Sequence, residues 1–349
     1  MLLLACGGDD GDGVVPVVDG SVVGDAGAPV DSGVDSGPAP EDAGVDARPP
    51  SDAGAPLGAP YPIVLAHGFF GFEELGGSFL TYFFGVKDDL AAVGESNVFT
   101  PAVDPFNDSE TRGEELAAAV EEILTTTGHA KVVIVGHSQG GLDARYVAST
   151  RPEQVAAVVT IATPHRGTPT IDLVQAATEN EDLREWVDGL IRIVGRPLWD
   201  AAGDETSFFA ALDQLSEEGA AAFNAAHPDQ PNVDYYSIGG RSDRNLALTT
   251  CAAEEPPAFI RDFALERDPI DPLLAVSEAF MDGGFGDPEP NDGLVRVTSS
   301  RWGTFLGCVP ADHFDQMGQI LGDQPGIGNE WEHLQFYRDL VTWLRAQGY

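Results

Sequence analysis

The chain has 349 residues and a formal net charge of −39, from 57 acidic and 18 basic side chains. A surface so acidic repels phosphate backbones, so we expect no nucleic-acid partner. The length suits one catalytic domain of about 250 to 300 residues with a tail. Residues 1–60 hold eleven acidic residues against Arg48 alone, which leaves the remainder acidic as well.

The first residues resemble an export signal. Met1-Leu2-Leu3-Leu4-Ala5-Cys6 is a short apolar run ending before a cysteine, similar to the lipobox of bacterial lipoproteins, and it predicts a lipid on Cys6. The run lacks a basic region and a full apolar region, so the alternative is an unmodified Cys6 near a misplaced start codon. We expect either a secreted protein or a lipoprotein of the outer membrane or cell surface.

The following segment predicts a spacer. Residues 7–59 consist mainly of Asp, Gly, Ala, Pro, Val and Ser and contain no aromatic residue. Such a composition cannot bury enough apolar surface to offset the entropy of ordering. We therefore place a disordered linker at 1–59 and a folded catalytic domain at 60–349.

Apolar runs of strand length alternate with helical patterns in the folded part. The strands are predicted at Ile63–Ala66, Lys131–Val135 and Val155–Ile161. The helices are predicted at 79–93, 114–124 and 142–149. Uninterrupted apolar strands are typical of parallel sheets buried on both faces. This order predicts an α/β fold, a mostly parallel sheet with helices on both faces.

The motif Gly136-His137-Ser138-Gln139-Gly140 stands between a predicted strand and a predicted helix. This context is typical of a nucleophile elbow, in which small residues permit a tight turn that lifts the serine above the sheet. The start of the helix offers N–H groups to an oxyanion. We therefore predict Ser138 as the nucleophile of an ester hydrolase.

A serine nucleophile needs a general base and a carboxylate that orients it, in the chain order Ser, acid, His. Only His313 and His333 lie far enough downstream, and we predict His313 because it lies in a polar loop, whereas His333 is expected on the surface of a helix. Asp292, in a turn before a strand predicted at Leu294–Val297, is the favoured acid, with Asp287 as the alternative.

The pattern of the segment 168–230 predicts a helical insertion. Its apolar residues recur at helical spacing, which on pattern alone predicts a helix packed on a core. The stripe consists of Leu183, Trp186, Val187, Leu190, Ile191 and Val194.

Residues 61–349 resemble bacterial lipase family I, the triacylglycerol lipases of the Pseudomonas and Burkholderia type. The similar motifs are Tyr61-Pro-Ile-Val-Leu-Ala-His-Gly-Phe69, Gly136 to Ala148, Thr163-Pro-His-Arg-Gly167, Asn291-Asp-Gly-Leu-Val295 and His313-Phe-Asp315. The resemblance implies an α/β-hydrolase fold, Asp292 rather than Asp287 as the acid, and His313 as the base. It also implies that the backbone N–H groups of Phe69 and Gln139 form the oxyanion hole.

The same resemblance implies one structural Ca²⁺ ion. By position its ligands are Asp315, Gln319 and Asp323 after the histidine, the last two through main-chain oxygen, with Asp271 as the fourth. Calcium prefers such mixtures of carboxylate and carbonyl oxygens. The alternative is ordinary acidic loop residues in an acidic protein.

The resemblance further implies a disulfide between Cys251 and Cys308, and the alternative is two free thiols. It also implies that the segment 168–230 is a lid, and the alternative is a fixed cap. Family members often depend on a dedicated folding chaperone, which is thus a candidate partner. We expect a monomer acting at a lipid or ester interface.

The predicted function is hydrolysis of long-chain triacylglycerols. The alternative is a carboxylesterase, polyester depolymerase or acyltransferase with the same chemistry.

Overall fold

The computed structural model describes residues 55–69, 81–169, 208–242, 248–282, 289–319, 324–326 and 328–349. These residues belong to one compact unit, Ala53–Tyr349. The predicted lipidation site Cys6, most of the predicted linker and the apolar stripe of the predicted lid lie outside the described residues. The same is true of Asp287 and Asp323.

A six-stranded parallel sheet forms the centre, in the order β2-β1-β3-β4-β5-β6. Its strands are β1 Ile63–Ala66, β2 Val98–Phe99, β3 Val132–His137, β4 Val155–Ile161, β5 Asp234–Gly240 and β6 Thr304–Val309. Every residue of β1, β3 and β4 is buried. The predicted parallel sheet, and with it the α/β fold, is confirmed.

Helices cover both faces of this sheet. They are α1 Val86–Ala92, α2 Ser109–Thr127, α3 Gly140–Thr150, α4 Phe208–Leu215, α5 Glu217–Ala226, α6 Ala258–Arg261, α7 Ala275–Met281, α8 Val297–Ser300 and α9 His333–Gln347. Along β1, Ile63 and Leu65 pack in one apolar cluster with α1 and α9, whereas Val64 and Ala66 pack with α2 and α3. Successive side chains of a strand point to opposite faces, so this alternation builds a core on each side.

Two predicted elements differ from the structure. The helix predicted from residue 79 begins at Val86, after Gly85 in the left-handed conformation with φ 69°. The strand predicted at Leu294–Val297 is wrong. Asn291 forms only an isolated bridge with Arg296, and the chain then enters α8, because the Asp292 side chain binds the next N–H groups and closes a turn.

A disulfide joins Cys251, at the end of a 3₁₀ turn at Leu248–Cys251, to Cys308 in β6. It ties a loop of the chain to the edge strand of the sheet. Within the described ranges, no helix combines the length and the apolar character that a bilayer crossing requires.

Candidate active site

Ser138 lies in a strained turn between β3 and α3. Its φ of 55° is in the left-handed region, which costs a non-glycine residue free energy and is typical of residues held for function. The flanking glycines are required by close approaches of the backbone. A Cβ on Gly136 would lie 2.4 Å from the Gly140 carbonyl oxygen, and one on Gly140 would lie 2.2 Å from that of Ala66. The turn is therefore the elbow that the motif predicts.

The residues predicted for the oxyanion hole flank this serine. Gly68 approaches it so closely that a Cβ there would lie 2.7 Å from Ser138 Cβ, which places the half-buried Phe69 beside the elbow. Gln139 is fully buried at the N-cap of α3, and its Nε2 donates to the Asn107 carbonyl oxygen at 2.8 Å. Both backbones thus border the position where an ester carbonyl would meet Ser138.

The buried Arg112 fixes the loop that carries Gly68. It donates to the carbonyl oxygens of His67 and Asp104, each at 2.6 Å, and more weakly to Gly68 at 3.3 Å. Its charge is balanced by Asp143 of α3 at 2.7 Å, also buried. The sequence alone gave no signal for Arg112, because its partners lie far apart in the chain.

Asp292 and His313 are hydrogen bonded, with 2.8 Å between Asp292 Oδ2 and His313 Nδ1. The other carboxylate oxygen accepts N–H groups from Leu294 at 3.1 Å and Val295 at 2.7 Å. A carboxylate surrounded by donors is an acceptor, so His313 Nδ1 carries the proton. This leaves His313 Nε2 able to take a proton from a neighbouring group.

The His313 ring lies beside His137, the residue that precedes Ser138 in the elbow. The rings of His137 and His313 lie 4.5 Å apart between centroids. Burial lowers the pKa of His137 well below its usual value, and the neighbouring His313 lowers it further, so His137 is neutral. The structure thus places the Asp292–His313 pair beside His137, the residue before Ser138, at the carboxyl ends of the strands, where ligands bind in open α/β sheets.

Gln316 is a site residue that our sequence analysis missed. Its Nε2 donates to Asp292 Oδ2 at 2.9 Å and to the Ala311 carbonyl oxygen at 3.2 Å. It follows His313 by three residues, in a 3₁₀ turn at Asp315–Met317. This spacing places the two side chains about one turn apart, and it is the signal that could have identified Gln316.

His333 lies away from this cluster. It is buried at the start of α9, and its Nε2 lies 2.8 Å from the Phe84 carbonyl oxygen, to which it donates, while Nδ1 accepts from Gln324 at 2.7 Å. The prediction of a histidine on the helix surface is therefore wrong, because the chain before α9 folds over the ring.

Three buried carboxylates lie beside the histidine loop. Asp268, Asp312 and Asp315 each offer an oxygen within 4.8 Å of the other two. The predicted ligand Asp315 belongs to this cluster together with Asp268 and Asp312, which our prediction did not include, and the predicted ligand Asp271 is not among the three. The Asp271 N–H instead donates to Asp312 Oδ2 at 2.9 Å. Burial and the Asp271 charge both raise the pKa of Asp312, so Asp271 lies near the cluster and its role as a ligand stays a prediction.

The chemistry of this cluster fits a hard cation. Neither carboxylate oxygen of Asp268 has a hydrogen-bond partner of ordinary geometry among the described residues. Burial and the charge of Asp312 raise the pKa of Asp268. The Gln319 side-chain nitrogen donates to the Tyr82 carbonyl oxygen at 2.9 Å, which leaves the oxygen atoms of Gln319 as its possible ligands to an ion. Buried carboxylates without a counter-charge indicate a site for a divalent cation.

Comparisons with known proteins identify the family of the chain. The α/β hydrolase fold family matches residues 61–245. A triacylglycerol lipase of Vibrio cholerae is 34% identical over 298 residues, covering 82% of this chain and 88% of the relative. A triacylglycerol lipase of Pseudomonas fragi is 30% identical over 278 residues, covering 74% and 88%. One of Burkholderia plantarii is 28% identical over 317 residues, covering 82% and 87%.

Solved structures show the same fold. EstA from Clostridium botulinum superposes with a TM-score of 0.57 at 21% identity, over 82% of this chain and 87% of its own. The resemblance to bacterial lipases is confirmed by the relatives. The chain therefore belongs to the α/β-hydrolase fold family, within its bacterial lipases, and is an ester-hydrolysing enzyme.

Proposed function

We propose that Ser138, His313 and Asp292 form the catalytic triad and that long-chain triacylglycerols are the substrate. The observation that carries the proposal is the hydrogen bond between Asp292 and His313 beside the strained elbow of Ser138. A serine hydroxyl is a weak nucleophile at neutral pH, and this arrangement supplies the base that activates it.

In the acylation step, Ser138 Oγ attacks the ester carbonyl carbon while His313 Nε2 takes its proton. Asp292 stabilises the resulting imidazolium through the Nδ1 hydrogen bond. The backbone N–H groups of Phe69 and Gln139 hold the oxyanion, which is worth about 10²-fold or more in rate per donor. His313 then gives the proton to the leaving alcohol, and the acyl group remains on Ser138.

In the deacylation step, water takes the place of the alcohol. His313 removes a proton from this water, whose oxygen attacks the acyl carbonyl, and the same two N–H groups hold the second oxyanion. Collapse of the intermediate returns the proton to Ser138 Oγ and releases the fatty acid. The same groups therefore act twice, and in each step His313 is first the base and then the acid.

The long-chain preference is supported by the relatives, which are named triacylglycerol lipases. It is tested by hydrolysis of p-nitrophenyl esters from acetate to palmitate and of emulsified triolein. A lipase gives its highest kcat/KM on the long esters and hydrolyses triolein. Activity confined to acetate and butyrate would keep the triad but identify a short-chain carboxylesterase, and the segment 168–230 would then be a fixed cap rather than a lid.

We also propose one structural calcium ion, held by carboxylates of Asp268, Asp312 and Asp315 with main-chain oxygen from Gln319. The unpartnered oxygens of Asp268 support it. The ion would neutralise the buried carboxylates and hold the loop that carries His313, without acting on the ester. Calcium titration by calorimetry tests it, with Asp268→Asn as the variant expected to lose binding. Equal binding by that variant would contradict the ligand set.

Export is the proposed location, with a lipid on Cys6 or without one. The disulfide between Cys251 and Cys308 supports an oxidising compartment. Fractionation of the native host, with metabolic palmitate labelling of the wild type and of Cys6→Ser, separates lipoprotein from secreted protein. Co-expression with and without a lipase-specific chaperone tests the proposed folding partner, and sedimentation tests the proposed monomer.

A further inference from the structure

A row of buried polar side chains runs from the loop 67–69 towards Asp292. We call this loop the oxyanion loop, because the Phe69 N–H is proposed to hold the oxyanion. Tyr82 Oη lies 2.8 Å from His137 Nδ1, and Gln316 Nε2 donates to Asp292 Oδ2 at 2.9 Å. His137 and Gln316 are fully buried, and Tyr82 is 6% exposed. A Cβ on Gly68 would lie 2.7 Å from Tyr82 Oη, so the row begins at the backbone of the oxyanion loop.

The protonation of this row follows from its partners. Burial raises the pKa of Tyr82, so its hydroxyl keeps its proton and can donate to His137 Nδ1. The neutral His137 then carries its own proton on Nε2. His137 Nε2 and Gln316 Oε1 are both buried, and neither has a partner of ordinary geometry elsewhere in the described chain. His137 Nε2 is the donor and Gln316 Oε1 is the acceptor.

The Gln316 side chain and the His313 backbone both oppose the fall that burial causes in the pKa of His137, so both lie beside its ring, and the His313 ring lies 4.5 Å from it. Either contact ties the residue before Ser138 to the turn that carries His313. The orientation of the Gln316 amide is also determined, because an ionised carboxylate can only accept. The amide nitrogen must face Asp292, and its oxygen must face away from it.

Packing holds Gln316 in this position. The backbone of Gly240, at the end of β5, approaches so closely that a Cβ there would lie 1.8 Å from Gln316 Nε2. The amide is therefore confined between β5, Asp292 and the Ala311 carbonyl oxygen. With this donor, Asp292 accepts four N–H groups, two on each oxygen, which is about as many as a carboxylate can accept.

We propose that Gln316 is a positioning residue of the hydrolytic site, which aligns Asp292 on His313 and, through His137 and Tyr82, links this pair to the oxyanion loop. The inference rests on the proposed triad and assigns a fourth side chain to its support. Gln316 does not touch the ester, so it acts on the chemical step rather than on substrate binding.

Gln316→Met tests this role, because methionine has similar length but no N–H group. We expect kcat to fall about tenfold with KM unchanged, as for loss of one hydrogen bond to a charged group. Ser237→Ala is the control: Ser237 is also fully buried, in β5, and its Oγ donates to the Trp302 carbonyl oxygen at 2.6 Å. The control should keep kcat. An unchanged kcat in Gln316→Met would overturn the proposal.

A double-mutant cycle separates positioning from general packing. In an Asp292→Asn background Gln316→Met should have less than a twofold effect on the rate of labelling by a fluorophosphonate, because there is no carboxylate left to align. The same tenfold effect in both backgrounds would contradict the proposal. If Asp292→Asn itself labelled at the wild-type rate, the triad would be wrong instead, so the two failures are distinguishable.

A spectroscopic measurement keeps the test valid if Gln316→Met folds poorly. The His313 Nδ1 proton, bonded to Asp292, should give a low-field resonance in wild-type protein. Tyr82→Phe removes the first donor of the row while keeping its ring, and it should shift that resonance and lower kcat about threefold. A resonance and a kcat that both stay at wild-type values would show that the row does not reach His313.

Discussion

Two variants that lack Arg112 should differ in stability but not in activity. The guanidinium is fully buried, it neutralises Asp143, and it holds the carbonyl oxygens of His67 and Gly68 in the oxyanion loop. Arg112→Met removes both functions at once. Arg112→Met combined with Asp143→Leu removes the same donors but leaves no buried carboxylate behind.

The two variants should therefore differ in stability. Breaking a buried ion pair by removing one partner costs about 3 to 5 kcal/mol, because an uncompensated charge remains. Apart from Arg112, the Asp143 carboxylate has a hydrogen bond from the Ser109 side chain, which carries no charge and so does not replace the guanidinium. Burial already raises the pKa of Asp143, and Arg112 opposes that rise, so without Arg112 the carboxyl would take up a proton. The double variant should recover most of the loss.

Activity should not recover with stability. Without Arg112 the His67 carbonyl oxygen has lost its guanidinium donor in both variants, so the Phe69 N–H is held less firmly and kcat should fall about 10- to 100-fold in each. Urea unfolding and steady-state kinetics on p-nitrophenyl butyrate measure the two quantities. Recovery of kcat in the double variant, in step with its stability, would refute a role of Arg112 in holding the oxyanion loop.

Three further outcomes are expected. Burial lowers the pKa of His67 to about 3, below the value of about 6.5 in the unfolded chain, so protonation of the unfolded chain reduces stability as the pH falls below 6.5. Between pH 7 and pH 4.5 the unfolding free energy of His67→Asn, measured by urea titration, should fall by about 2.7 kcal/mol less than that of wild type. Equal falls would contradict a neutral His67. Replacing Cys251 and Cys308 together by alanine opens a loop of 57 residues and should lower the unfolding free energy by about 4 kcal/mol, whereas an unchanged value would show that the bond does not form in solution. Chelation should lower the Tm of wild type and leave that of Asp268→Asn nearly unchanged; identical responses would remove Asp268 from the ion site.

The sheet and the nucleophile were predictable because their signals are local. The runs at Ile63–Ala66, Val132–His137 and Val155–Ile161 are mostly apolar and buried throughout, as expected for parallel strands covered on both faces. The glycines around Ser138 are required by contacts within the turn or with β1 next to it, so the motif carries its own geometry. Asp292 and His313 could be placed only with the help of the family resemblance.

The parts that escaped prediction depend on contacts between distant segments. Arg112 meets the oxyanion loop 45 residues away in sequence, and Gln316 meets Asp292 across 24 residues. Asp268 meets Asp312 and Asp315 from a distant part of the chain. Strand β6 contains Gly307, with φ 120°, and is only partly apolar, so its sequence does not distinguish it from a loop.

The most direct test of the proposed mechanism is to locate the nucleophile chemically. The protein is treated with a fluorophosphonate ester, digested with trypsin and analysed by mass spectrometry. We predict one adduct, on Ser138 in the peptide that follows Lys131 and ends at Arg145, and we predict that Ser138→Ala loses both the adduct and esterase activity while retaining the wild-type Tm. An adduct on another residue, or substantial hydrolysis by Ser138→Ala, would contradict the assignment of Ser138 as the nucleophile.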